Sequence, residues 1–218
     1  MTPAPTSRID HIAITAPTLA SGASWVEQVL GVAPQLGGEH TRMGTHNVLL
    51  RLGDDIYLEV IAVNPAVAPP GRPRWFELDA LRADSKPRVR TWIARTTDIH
   101  AAMAGAGEEL GTITEMQRGD LRWLITIPDD GKPLLGGVAP ALIEWKAGAH
   151  PATRLQDHGL RLEQLELFHP RPHRVMALLD AIGLDGRVQV LRSPDGEGSS
   201  LVAQIDTPRG LRTLSVAT

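Results

Sequence analysis

Three times along the chain a short apolar strand runs into a helix and then into two or three more strands, and the three helices begin roughly 75 residues apart. That period predicts an α+β chain built from tandem βαβββ units. In the first copy Ile9–Ile14 alternates as a strand, Pro17 and Thr18 break it, and Leu19–Leu30 places Trp25, Val26, Val29 and Leu30 on one helical face before Gly31. A glycine-rich loop then leads to strands at His46–Leu52 and Ile56–Val63, joined by the turn Gly53–Asp54–Asp55. The second copy offers a strand at Arg90–Arg95 and a helix at Thr97–Ala106 with Thr97 or Asp98 as N-cap. Strands at Ile113–Gln117, Leu121–Ile127 and Ala141–Lys146 follow. The third copy has a strand at Leu160–Phe168 and a helix at Pro172–Ile182 with proline near its first position. Its further strands are Gln189–Arg192, Leu201–Asp206 and Leu211–Val216. The units therefore span residues 8–65, 88–147 and 159–218. A proline-rich linker, 66–87, separates the first two, and a shorter one, His150–His158, precedes the third.

Composition narrows the chemistry. Apolar residues make up 42% of the 218, enough for a real core, and the formal net charge is −3. The arginines are scattered, without the basic face a nucleic-acid binder presents, so no nucleic-acid partner is expected. With no cysteine, disulfides and thiolate-bound metals are excluded, and a metal would need His, Asp, Glu or water. No apolar run approaches the roughly 20 residues that span a bilayer. Met1–Ser7 lacks the charged and apolar regions of a secretory signal. The expected location is cytoplasmic, with no membrane partner.

Several stretches carry a family resemblance. They are Asp10-His11-Ile12-Ala13-Ile14, Gly44-Thr45-His46-Asn47-Val48-Leu49-Leu50-Arg51-Leu52-Gly53 and Tyr57-Leu58-Glu59-Val60-Ile61-Ala62. Later come Leu121-Arg122-Trp123, Leu142-Ile143-Glu144-Trp145 with His150-Pro151, and Asp206-Thr207-Pro208-Arg209-Gly210. The chain resembles the glyoxalase-like branch of the vicinal oxygen chelate superfamily over nearly its whole length. The resemblance implies that the first two units pair into a cupped sheet and that the third is additional. It also implies metal ligands from the first and last strands of each unit. By residue these are His11 and Glu59 in unit one and Glu144 in unit two. The fourth position falls near Thr91 or Trp92, neither of which is an ordinary metal ligand, and this departs from the family pattern.

Strand alternation gives a separate reading of the same residues. If Ile12 and Ile14 pack on the helix, His11 faces the hollow; if Leu58 and Val60 do, so does Glu59. If Ile143 and Trp145 pack outward, Glu144 faces inward. Two glutamates in apolar strands must each find a cation, a metal or a proton, because an unpaired buried charge costs several kcal/mol. One imidazole with two carboxylates suits Mn²⁺, Fe²⁺, Ni²⁺ or Zn²⁺, with Glu59 or Glu144 as ligand or general base. The competing role for Glu59 is an ion pair with Arg51 or another arginine, and for Glu144 a salt bridge with Arg122. His46 could bind substrate, Arg122 and Trp123 an anionic or planar ligand, and His150 the pocket rim. His40 reads as a solvated loop residue, and His158, His169 and His173 as surface residues. The third unit carries no His–carboxylate set and reads as structural; the edge or face it leaves to cover would either pack on the first pair or build a homodimer interface. Two functions follow from the resemblance. One is a metal-dependent enzyme of lyase, isomerase or dioxygenase type. The other is a metal-free protein that sequesters a small molecule, as resistance members of the superfamily do.

Overall fold

The computed structural model describes residues 6–216; most of the leading segment Met1–Ser7 lies outside that range. The first unit is β1 (Ser7–Thr15), α1 (Leu19–Leu30), β2 (Gln35–His40), β3 (Thr45–Arg51) and β4 (Tyr57–Val63). The second is β5 (Arg88–Thr96), α2 (Ile99–Gly105), β6 (Thr112–Arg118), β7 (Leu121–Ile127) and β8 (Ala141–Ala147). A short helix, α3 (Pro151–Arg154), leads to β9 (Arg161–His169), α4 (Pro172–Ala181), β10 (Leu184–Asp185), β11 (Val188–Arg192), β12 (Ser200–Asp206) and β13 (Arg212–Leu214). The glycine-rich loop of the first unit is in fact the strand β2, held against β3 through Gln35–Leu49 and His40–Thr45. Its glycines hide the alternation that would have marked it.

Local chemistry sets the element boundaries. Thr18 caps α1 by accepting from the Ser21 amide while Ser21 reciprocates, and Gly31 ends the helix at φ 76°. Asp98, one of the two expected caps, starts α2 by accepting from the Ala101 amide. Gly22 is where α1 rests on β4. A Cβ there would lie 2.4 Å from Val60 Cγ1, so no larger residue allows that approach.

The first two units share one sheet, in the order β2-β3-β4-β1-β5-β8-β7-β6, with β10 pairing beside the start of β1. β1 and β5 join the halves antiparallel, with His11 opposite Ile93 and Ala13 opposite Thr91. The third unit forms a second sheet, β11-β9-β12-β13. One continuous core lies between them. Ile12, Ile14, Leu58, Val60 and Trp92 of the large sheet, Val26 and Leu30 of α1, and Leu165, Leu167 and Ile205 of the small sheet all belong to it. The third unit thus packs on the first pair and buries its apolar face within the chain, one of the two arrangements expected for it. A smaller cluster on the other side of the large sheet gathers Ala13, Ile61, Ile93 and Ile143 with Trp75 and Phe76 from the linker. Among the described residues, no helix is long and apolar enough to cross a membrane.

Trp92 is the largest side chain with no exposure at all, and its indole N–H donates to the Val138 carbonyl at 2.9 Å. Trp92→Ala should destabilise the fold by about 3–5 kcal/mol through lost burial and an orphaned carbonyl. A urea-denaturation midpoint unchanged from wild type would contradict that placement.

Candidate functional site

On the side of the large sheet away from α1, a cleft is lined by His11, Tyr57, Glu59, His40, Asn47 and Arg118. Its remaining walls are Trp75, Phe76, Trp123, Ile125, Ile143 and Trp145. β1 supplies His11 and β4, parallel to it, supplies Tyr57 and Glu59, with His11 beside Tyr57 in register. The two rings stack, centroids 4.4 Å apart and 16° from parallel. His11 Nε2 lies 3.6 Å from Glu59 Oε2. Strand alternation therefore brings His11 and Glu59 to one hollow.

Asp10 completes this row against the simple alternation. The register between β1 and β5 shifts between Ile9 and His11, leaving Asp10 out of the ladder. Its carboxylate, fully buried, accepts from His11 Nδ1 at 2.6 Å through Oδ1. Through Oδ2 it accepts from Trp145 Nε1 at 2.8 Å and His150 Nε2 at 3.0 Å. The Ala152 amide donates to His150 Nδ1, which fixes the His150 tautomer with its proton toward Asp10. On the far side, Glu59 Oε1 accepts from Asn47 Nδ2 at 2.5 Å. Asn47 Oδ1 accepts from the Gly38 amide at 2.7 Å. A Cβ on Gly37 would sit 2.1 Å from that oxygen, so the backbone of β2 must be bare there.

The charges follow from these contacts. Burial works against ionisation of Asp10, but the hydrogen bonds of His11 and His150 and the charge of His11 outweigh it and hold its carboxyl well below the usual range. Burial likewise penalises the His11 cation, yet Asp10 and Glu59 together raise its pKa to about 9. Burial would raise Glu59, but His11 and then His40 and Asn47 bring it down to about 2. At neutral pH the row is carboxylate, imidazolium, carboxylate. His40 behaves oppositely. Burial pushes it down to about 4, with the Arg118 charge adding to the effect, so it is neutral. Its Nε2 faces Arg118 Nη1 at 3.2 Å as an acceptor, which leaves the proton on Nδ1 beside the Thr45 hydroxyl at 3.3 Å.

The other sequence candidates are dispersed. Trp123 is a wall of the cleft, and His150 stands behind Asp10. Glu144 points to the opposite side of the sheet, where it accepts from the Ile99 amide at 3.0 Å and pairs with Lys146. The expected orientation of β8 is inverted: Leu142 belongs to the helix-side core, while Ile143 and Trp145 line the cleft. Leu142 and Ile143 are both fully buried, so hydrophobicity could not tell the two faces apart. Arg122 is exposed on β7, and His46 alternates with Asn47 onto the other face of β3; neither lines the cleft. Two residues read as peripheral are buried. His40 lines the cleft, and His169 accepts from the Arg171 amide in the third unit. Trp75 and Phe76 come from the linker, where an aromatic pair amid prolines was the available signal.

The sequence matches the family described as Glyoxalase-like domain over residues 9–183. The chain belongs to this family. No curated protein matches it. Among solved structures, a hypothetical protein from Staphylococcus aureus superposes with a TM-score of 0.58 at 14% identity, covering 88% of this chain and 87% of that one. Methylmalonyl-CoA epimerase from Mycobacterium tuberculosis gives 0.43 at 16% identity, over 65% of this chain and 88% of its own. A variant of homoprotocatechuate 2,3-dioxygenase from Brevibacterium fuscum gives 0.46 at 16%, over 93% and 51%. At such identities the likeness is one of fold.

The two units correspond element by element, β1 with β5 and β4 with β8, the strands from which the superfamily resemblance implies metal ligands. With α1 beginning at Leu19 and α2 at Ile99, this correspondence carries His11 onto Thr91. It carries Glu59, beside Ala13, onto Ala141, beside Ile93. Thr91 donates its hydroxyl to the Gly137 carbonyl, and alanine ligates nothing. Both line a second cavity, walled by Leu110, Thr126, Ile127 and Leu134, that shares Trp75 and Phe76 with the first. These two aromatics occupy the middle of the cup with Ala13 and Ile93. Among the described residues, no three His, Asp or Glu side chains converge as a metal-binding group. The donor set does not fit a resident divalent ion.

The pKa values give a stability profile. The raised His11 pKa contributes stability that is complete below 6.5 and lost as pH rises toward about 9. The depressed Glu59 contributes stability present above 4.5 and lost as pH falls toward about 2. Urea midpoints should therefore be highest between those limits, and His11→Gln should flatten the alkaline decline. Identical alkaline declines in wild type and variant would refute the charged row.

Proposed function

We propose that this glyoxalase-like protein binds a small planar organic molecule in the His11–Glu59 cleft and does so without a metal. The observation that carries the reading is the replacement of the second unit's ligand positions by Thr91 and Ala141, with Trp75 and Phe76 filling the space between the halves. The metal-dependent alternative would need donors where these side chains stand.

The remaining cleft has aromatic walls and a polar end. Trp123 and Trp145 lie 5.4 Å apart at their centroids, and Trp75 and Tyr57 line the same cleft. Glu59 offers an acceptor, while Arg118 offers guanidinium donors at the rim. The ligand class this suits is an aromatic or planar compound with a hydroxyl or amine for Glu59 and an anionic oxygen for Arg118. The ion pairs around His11 hold the polar end rigid before a ligand arrives, which lowers the ordering cost of binding.

Tryptophan fluorescence titrated with 4-hydroxybenzoate as a probe should quench saturably. Arg118→Gln and Glu59→Gln should each weaken binding by about 10-fold or more, the usual cost of losing a charged hydrogen bond. The protein should purify without a stoichiometric transition metal, and Mn²⁺, Ni²⁺ or Zn²⁺ should leave its melting temperature unchanged. One metal per chain, lost on His11→Ala, would restore the metal-dependent enzyme.

A further inference from the structure

Away from that cleft, a third hollow of about 440 Å³ opens between the start of β5 and the small sheet. Its lining includes Glu77, Arg88, Arg90, Ser200, Ser215 and Val216. It exists because the third unit packs beside β5: Arg88 bridges to Val216, and the Val89 amide donates to the Ser215 carbonyl at 2.6 Å.

The charges in this hollow do not balance. Glu77 pairs with Arg90 at 2.6 Å, and Arg90 also donates to the Gly136 carbonyl at 2.8 Å. Arg88 is 3.9 Å from the same carboxylate, beyond hydrogen-bonding distance, and makes no side-chain hydrogen bond among the described residues. Its Nε is nonetheless buried without a partner, as is that of Arg90. Among the described residues two guanidiniums thus share one carboxylate, which leaves a single positive charge. Solvent reaches the Arg88 head, whose side chain is 41% exposed, so an incoming ligand reaches it too. Beside this charge the wall is apolar. Val89 and Leu201 are buried, Val202 is half-buried, and Val216 is 52% exposed, one of the few large apolar side chains the fold leaves in water.

We propose that this hollow binds an apolar monocarboxylate, with Arg88 as its anchor. A single negative charge cancels the local surplus, whereas a dianion would also meet the fixed Glu77 carboxylate. The planar carboxylate matches the guanidinium fork. Ser200 and Ser215 supply hydroxyls beside the head group, and the tail covers Val216 and Val202. Glu77 remains committed to Arg90, so binding need not disturb the Trp75–Phe76 segment that walls the other cleft.

The test uses octanoate, which lacks the ring that suits the first cleft, and follows backbone amide shifts by NMR. Saturable shifts at Leu201, Val202 and Ser215, with none at Asn47 or Glu59, are expected. Arg88→Gln should weaken the affinity by about 10-fold or more, and Arg88→Lys should fall between, since it keeps the charge and loses the fork. 1-Octanol, with the same tail and no charge, should not give the pattern. No shift at these residues at millimolar octanoate, equal shifts with the alcohol, or unchanged affinity in Arg88→Gln would each overturn the proposal.

Discussion

The antiparallel pairing of β1 with β5 is the constraint on which the other features rest. It joins the two units into one sheet and sets His11 opposite Ile93 and Ala13 opposite Thr91. Because side chains alternate along a strand, that register decides which residues face the hollow and which face the helices. A slip of one residue would send His11 into the core with Ile12's partners and bring Ile12 to the cleft.

The two halves have diverged in their electrostatics. In the first, three ionised side chains are buried in a row, an arrangement tolerated only because each is paired and hydrogen-bonded. Asp10 takes hydrogen bonds from His11, Trp145 and His150, and Glu59 from Asn47, so neither carboxylate is left bare. In the second half the corresponding positions are a threonine bonded to backbone and an alanine. The imidazolium of His11 already supplies the positive charge that a cation would otherwise bring to its two carboxylates.

Between the halves runs the proline-rich linker itself. Phe76 and Glu77 adopt left-handed backbone at φ 59° and 60°, a conformation costing on the order of 1–3 kcal/mol per residue outside glycine. The Glu77 amide donates to the Gly131 carbonyl at 2.9 Å, the Glu77 carboxylate pairs with Arg90, and the rings of Trp75 and Phe76 are buried. These contacts hold the strained turn and place its aromatics where they wall both central cavities. The same glutamate engages Arg90 more closely and so leaves Arg88 without a side-chain hydrogen bond among the described residues, which ties the third hollow to this turn.

The sequence by itself determined the repeated units, the helices with the glycine stop of α1 and a Thr or Asp cap for α2, and the inward aim of His11 and Glu59. Those follow from local chemistry: a 3.6-residue period, a Thr or Asp at a helix start, and polar residues interrupting apolar strands. It misjudged β8, because a strand buried on both faces carries no alternation to orient it, and Glu144 went to the wrong side. It passed over β2 because glycines erase the pattern. Asp10 was hidden by an irregularity in pairing between strands far apart in sequence. Only the tertiary structure decided that His40, Arg118 and Trp75 reach the cleft, and that the third unit closes over the first two. Those facts depend on which surfaces meet, and contacts between distant segments leave no period in the chain to read.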